Sequence, residues 1–194
     1  MTWLLKTDMV ENWAYWDGAF SAEECEKIKK YALQKPKEKG AISGTVTVPS
    51  KIDSSLRNNS VIWIDEDDAN VRFALERLTG IVNDLNSKYF NFNLYGFCEK
   101  LQFTEYVAPG EYYKKHIDKM YSGTIRKLSA VVQLTDPNEY EGGELILDFG
   151  VPSIMRKTQG SVILFPSYVV HEVTPVTKGT RHSLVAWIAG DQFK

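Results

Sequence analysis

Only two cysteines and three histidines occur among the 194 residues: Cys25 and Cys98, and His116, His171 and His182. The cysteine spacing fits neither a zinc motif nor a redox motif, which argues against a thiolate metal centre and a disulfide framework. Charge of one sign is also lacking. A formal net charge of −2 leaves no global electrostatic case for a nucleic-acid or membrane surface. A local basic run (Lys27, Lys29, Lys30, Lys35, Lys37, Lys39) is interleaved with Glu23, Glu24, Glu26 and Glu38, the pattern of a solvated face. No apolar run approaches the length of a membrane span. Residues 1–16 carry acids and tryptophans where a signal peptide has a basic segment before an apolar one. These absences lead us to expect a cytoplasmic protein.

What is present is enough for an ordinary core: 43% hydrophobic and 25% charged residues. One domain is expected over 1–194, with helical support to about residue 90 and a β-rich core from about 91. Ser21 followed by Glu24 forms a capping box, and Cys25, Ile28, Ala32 and Leu33 then mark an apolar helix face to about Gln34. A strand is expected at Ser60–Ile64. The acids 65–68 then predict a second helix start, with Val71, Ala74, Leu75, Leu78, Val82 and Leu85 at helical spacing. Residues 35–60 read as a long loop with a short strand at Thr45–Val48. Beyond residue 90 the pattern becomes short strands, at 99–107, 127–134, 144–148, 161–165, 170–176 and 182–188. Turn signals such as Pro109-Gly110, Gly142-Gly143 and Lys178-Gly179 separate them. The class is α+β, mainly β, with a sandwich or closed β architecture.

His116 and Asp118 are two apart, so an extended segment points both to one face. His171 follows 53 residues after Asp118, and Arg181 ten residues after that. A lone histidine in a strand is more often a hydrogen-bonded residue than a ligand. Two histidines and one carboxylate, however, can cover one face of Fe(II) and leave the other open to a bidentate organic acid and dioxygen. Arginine suits the clamping of a second, remote carboxylate. Ile117 and Val170 are expected to point the other way, into the core. His182 is expected to face away from the site.

The segments Gln102-Phe-Thr-Glu-Tyr106 to His116-Ile-Asp118, Tyr140-Glu-Gly-Gly143-Glu-Leu, Gly160 to Pro166-Ser, His171-Glu-Val-Thr-Pro-Val and Gly179-Thr-Arg181-His-Ser183 resemble the Fe(II)- and 2-oxoglutarate-dependent dioxygenases of the prolyl 4-hydroxylase-like superfamily. Among these the chain is most similar to the PKHD-type hydroxylases of bacteria and phages. The resemblance implies a double-stranded β-helix (jelly roll, cupin-like) with N-terminal flanking helices. It implies Fe(II) held by His116, Asp118 and His171, with 2-oxoglutarate as cosubstrate and ascorbate as reductant. Arg181 and Ser183 would hold the 5-carboxylate. Tyr106 would hydrogen-bond the cosubstrate, Gln133 would contact the same carboxylate, and Trp187 would pack in the barrel. Hydroxylation of an unactivated C–H, with release of succinate and carbon dioxide, is the implied reaction. The substrate is expected to be peptidyl, with proline favoured, over a small molecule. Loops 35–60 and 119–126, with Arg57, Asn58, Tyr112, Tyr113 and Tyr121, would frame it. A cupin-like metal-binding protein or isomerase would use the same ligands without needing Arg181 and Ser183.

Overall fold

A computed structural model describes residues 10–42, 49–118 and 124–192. The expected strand at Thr45–Val48 and Tyr121 lie outside them. Two β-sheets and two helices are stacked in three layers. Chain order begins with β1 (Ala14–Trp16), α1 (Ala22–Ala32), β2 (Glu38–Lys39), β3 (Arg57–Asn58), β4 (Ser60–Ile64) and α2 (Arg72–Leu85), which runs into a π-helical turn at Asn86–Phe90. Strands β5 (Leu94–Phe97), β6 (Leu101–Val107), β7 (Tyr112–His116), β8 (Arg126–Gln133), β9 (Tyr140–Gly142) and β10 (Leu145–Asp148) follow. The chain closes with β11 (Pro152–Ile154), β12 (Val162–Pro166), β13 (Val170–Val173) and β14 (Val176–Gly190). The larger sheet has the order β1-β12-β8-β14-β6-β4-β2, with β5 and β9 also on β14; the smaller has β11-β10-β13-β7-β3. Facing one another, they form a double-stranded β-helix, or jelly roll.

The larger sheet serves two cores because side chains alternate along its strands. One face (Leu128, Ala130 and Val132 of β8; Leu184, Ala186 and Ile188 of β14) packs on Cys25, Ile28 and Ala32 of α1 and on Ala74, Leu78 and Val82 of α2. The other face gives Tyr106, Val131, Ile163 and Phe165 to a second core with Leu145, Leu147 and Val173 of the smaller sheet. Helix α1 starts where the sequence placed it. Ser21 Oγ accepts from the Glu24 N–H and the Glu24 carboxylate accepts from the Ser21 N–H.

Three expectations need correction. The acids 65–68 do not open α2, which starts at Arg72 with no side-chain cap. Asp65 instead pairs with Lys100 and Asp68 with Lys35, so tertiary partners take the carboxylates before a helix end can. Lys178-Gly179 does not separate two strands. Gly179, at φ +72°, pairs with Tyr140 just after a register shift between Val176 and Lys178, within one continuous strand of 15 residues, β14. Nor are the two helices and the expected strand at Ser60–Ile64 all that the first third supplies: β1 pairs with β12 and β3 with β7.

Candidate active site

His116 ends β7 and His171 lies on β13, and the two are direct cross-strand partners. Their rings therefore sit side by side, 4.1 Å between centroids. Asp118, just beyond β7, is turned toward the larger sheet by its N–H, which donates to the Ser167 carbonyl at 2.9 Å. The three residues each offer a ligand atom, all within 4.8 Å of one another. Each histidine Nδ1 faces a carbonyl, Lys114 O at 2.7 Å and Val169 O at 2.9 Å. A carbonyl can only accept, so Nδ1 carries the proton and Nε2 keeps its lone pair for a ligand. Both Nε2 atoms point at the Asp118 carboxylate, at 3.7 and 3.5 Å. Tyr113 stacks on His116 at 3.4 Å and Phe165 meets His171 edge-on at 4.9 Å, which fixes the ring planes.

Burial pushes the His116 imidazolium pKa down, and the neighbouring His171 adds to the shift. Burial alone would raise the Asp118 carboxyl, but His171, His116 and Arg126 outweigh it and hold it below its ordinary value. A neutral imidazole beside an ionised carboxylate is the protonation state that binds a divalent cation. Ile117 and Val170 do not enter the core as expected; both are half-buried. β7 ends at His116, so strand alternation no longer governs Ile117, which lines the cavity edge.

The same cavity is lined by Arg181, 1% exposed and paired across strands with Tyr106. Its Nη2 donates to Gln133 Oε1 at 3.0 Å and its Nη1 to Ser183 Oγ at 3.4 Å. The guanidinium carbon lies 5.5 Å from the Tyr106 ring centroid. Among the described residues no carboxylate pairs with it, and its Nε and the buried Tyr140 hydroxyl have no hydrogen-bond partner. A buried cation without an anion is costly, so the residues fit a ligand that brings a carboxylate. Gln133 grips the arginine from behind, and Tyr106, whose phenol burial pushes up in pKa, presents a neutral side chain to the cavity. Gly143 matters here for space: at φ +62°, a Cβ would stand 3.0 Å from Arg181 Cδ and 3.4 Å from Tyr140 Cε2.

Residues 101–189 match the profile of the 2OG-Fe(II) oxygenase superfamily. The match falls on the β-rich half of the chain. Similar curated proteins include a PKHD-type hydroxylase of Prochlorococcus marinus, 32% identical over 72% of this chain and 60% of the relative. Another, from Nitrosomonas europaea, is 31% identical over 72% and 63%. The chain thus spans less than two thirds of the length of these relatives. Among solved structures, a Pseudomonas putida prolyl-4-hydroxylase superposes with a TM-score of 0.71 at 20% identity, covering 93% of this chain and 94% of the other. A Trichoplax adhaerens prolyl hydroxylase, in complex with a hypoxia inducible factor peptide fragment, gives 0.74 at 16% identity, covering 92% and 84%. These likenesses carry the jelly-roll fold across nearly the whole chain.

Within this jelly roll the triad and Arg181 share one cavity of about 620 Å³. Beyond the triad its wall is made by Trp63, Glu99, Gln102, Arg126 and Trp187. Of the residues expected to frame a substrate, Arg57 and Tyr113 line it. Tyr112 instead donates to the carbonyls of Ser54 and Ser55. His182 faces away, as read from the sequence; its partners are Glu105 and Thr135. Sequence reasoning missed Tyr140, Glu99, Arg126 and Trp63. Tyr140 stands within a matched motif and was within reach, whereas the others have no local signature. Trp187 was expected only to pack, yet its indole N–H donates to Asp118 Oδ2 at 2.9 Å.

Proposed function

We propose that this chain is an Fe(II)- and 2-oxoglutarate-dependent dioxygenase that hydroxylates an unactivated C–H of a peptidyl proline. One observation carries the reading: a His–Asp–His triad shares a cavity with a buried arginine that lacks an anion. In this reading His116 Nε2, an Asp118 carboxylate oxygen and His171 Nε2 hold Fe(II). Arg181, with Ser183, receives the 5-carboxylate of 2-oxoglutarate; Gln133 orients the guanidinium, and Tyr106 hydrogen-bonds the cosubstrate. Bound there, the iron and cosubstrate supply the oxidising chemistry, using dioxygen and releasing succinate and carbon dioxide, with ascorbate keeping the iron reduced. The protein's own contribution is to orient both and to keep water out. Tyr113 and Phe165 shield the imidazoles, and Tyr106 closes the floor beside Arg181. A cupin-like metal-binding protein or isomerase has no use for that unpaired guanidinium, so it is not favoured.

A peptidyl substrate is supported by the size of the cavity and by its aromatic wall, where Trp63 and Trp187 lie 6.3 Å apart. The peptide in the Trichoplax enzyme's complex supports it too. We place the whole chain in one domain, since strands from both halves share each sheet. A cytoplasmic location is in keeping with two free thiols; among the described residues no helix is long and apolar enough to cross a membrane. The test is succinate formation from 2-oxoglutarate with Fe(II), ascorbate and oxygen, with and without a proline-rich peptide. Fe(II)-dependent succinate, and a peptide gaining the mass of one oxygen, are expected. No 2-oxoglutarate binding by the metal-loaded protein would refute the class, and succinate without peptide oxidation would refute the substrate.

A further inference from the structure

The oxygen of Asp118 that lies 3.5 Å from His171, Oδ2, is gripped from the larger sheet by two donors, Ser129 Oγ at 2.8 Å and Trp187 Nε1 at 2.9 Å. Ser129 and Trp187 are direct cross-strand partners, so the pleat delivers both to one atom. Trp187 is itself held from outside. The Arg126 guanidinium lies 3.9 Å over its ring, within cation–π range. Arg126 also donates to the Asp118 carbonyl at 3.3 Å. Glu99 fixes Arg126 through a two-pronged pair, 2.6 Å from Nε and 2.6 Å from Nη2. A fork-on-fork pair sets the plane of the guanidinium as well as its position. Side-chain exposure falls along this chain of contacts from 29% at Glu99 to 7% at Arg126.

We propose that Glu99, Arg126 and Trp187 form a positioning relay that sets the rotamer of Asp118 from the larger sheet. The proposal rests on the reading of His116, Asp118 and His171 as metal ligands. Glu99 and Arg126 are positioning residues: they reach the metal only through Trp187 and the Asp118 main chain. The indole N–H occupies one carboxylate oxygen and leaves the other free to turn toward the ion. Partners of this kind typically govern metal affinity by about 10- to 100-fold.

The test is a double-mutant cycle on Mn(II) affinity, with free Mn(II) followed by its electron paramagnetic resonance signal in the full chain. Trp187→Phe keeps a ring under Arg126 but removes the N–H, and should weaken Mn(II) by about 10-fold or more. Glu99→Gln touches no ligand, and should still weaken Mn(II) while leaving the melting temperature of the metal-free protein near that of the wild type. Combined, the two should cost less than the product of their separate effects, since they break one chain of contacts. Glu99→Asp, which keeps the charge, should recover part of the loss. Wild-type affinity in Glu99→Gln, or fully multiplicative losses, would overturn the relay. Failure of the wild type itself to bind Mn(II) would overturn the ligand assignment beneath it.

Discussion

Replacing Arg181 by methionine should leave the protein folded and remove its response to 2-oxoglutarate. Arg181 is fully enclosed, and among the described residues it has no carboxylate partner. Exchanging buried charges for an apolar side chain of similar volume often gains about 1–4 kcal/mol. Against this, Gln133 Oε1 loses its donor at 3.0 Å, and a buried acceptor left unsatisfied costs about 1–3 kcal/mol. The two nearly cancel, so the metal-free, ligand-free melting temperature should move by only a few degrees. Ligand response should differ sharply. In the wild type with Mn(II), 2-oxoglutarate at about 100 times its Kd adds roughly 2.7 kcal/mol, or roughly 5–11 °C for a chain of this size. Removing one partner of a buried charge pair costs about 2–5 kcal/mol. At the same ligand concentration the variant then gains less than about 1 kcal/mol, a shift of no more than about 4 °C. Differential scanning fluorimetry with Mn(II), with and without 2-oxoglutarate, reads both quantities. An undiminished ligand shift in Arg181→Met would refute the anion-clamp argument, whatever the variant's stability.

Four further outcomes follow from the same geometry. Tyr140→Phe should weaken 2-oxoglutarate binding severalfold with Mn(II) affinity intact, if the unpartnered hydroxyl beside Arg181 serves the ligand; equal affinity by isothermal titration would remove Tyr140 from the site. Gly143→Ala places a Cβ at φ +62° and 3.0 Å from Arg181 Cδ, so it should cost about 1–3 kcal/mol and lower 2-oxoglutarate affinity; a chemical-denaturation midpoint matching the wild type would contradict the space argument. His116→Ala should abolish metal-dependent turnover while the fold persists by circular dichroism, and retained turnover would refute the ligand assignment. The His182 hydrogen bond, opposed by burial and reinforced by Lys37, holds the Glu105 carboxyl down to about 2 from 4.5. Its folded pKa is depressed, so its contribution is present above 4.5 and is lost as pH falls toward 2. Denaturation midpoints across that window should fall less steeply in Glu105→Gln, and identical slopes would refute the assignment.

The candidate ligands were legible because their signal is local or of fixed offset: two residues from His116 to Asp118, ten from His171 to Arg181. Helix α1 was legible because a capping box and an apolar face agree over one short stretch. Other features failed where distant partners decide. The acids 65–68 satisfy the rules for a helix start, yet Lys100 and Lys35 claim two of them. Gly179 has the composition of a turn, yet β9 and β6 pair on either side of it and keep the strand running. Glu99 and Arg126, 27 residues apart, resemble any exposed acid and base until the sheet brings them together. The family resemblance placed Trp187 at the barrel lining, and its hydrogen bond to Asp118 depends on a tertiary approach that no local pattern encodes.

Strand β14 has a consequence for how the protein acquires its chemistry. Arg181, Ser183, Val185 and Trp187 face the cavity, while Leu184, Ala186 and Ile188 face the helices. A slip of one residue against β8 would exchange these sets, sending apolar side chains to the triad and a guanidinium to the helix layer. The hydrophobic burial that drives the chain to fold therefore also proofreads the candidate site. A molecule that has completed its helix-side core has already chosen the alignment in which Arg181 and Trp187 reach their partners.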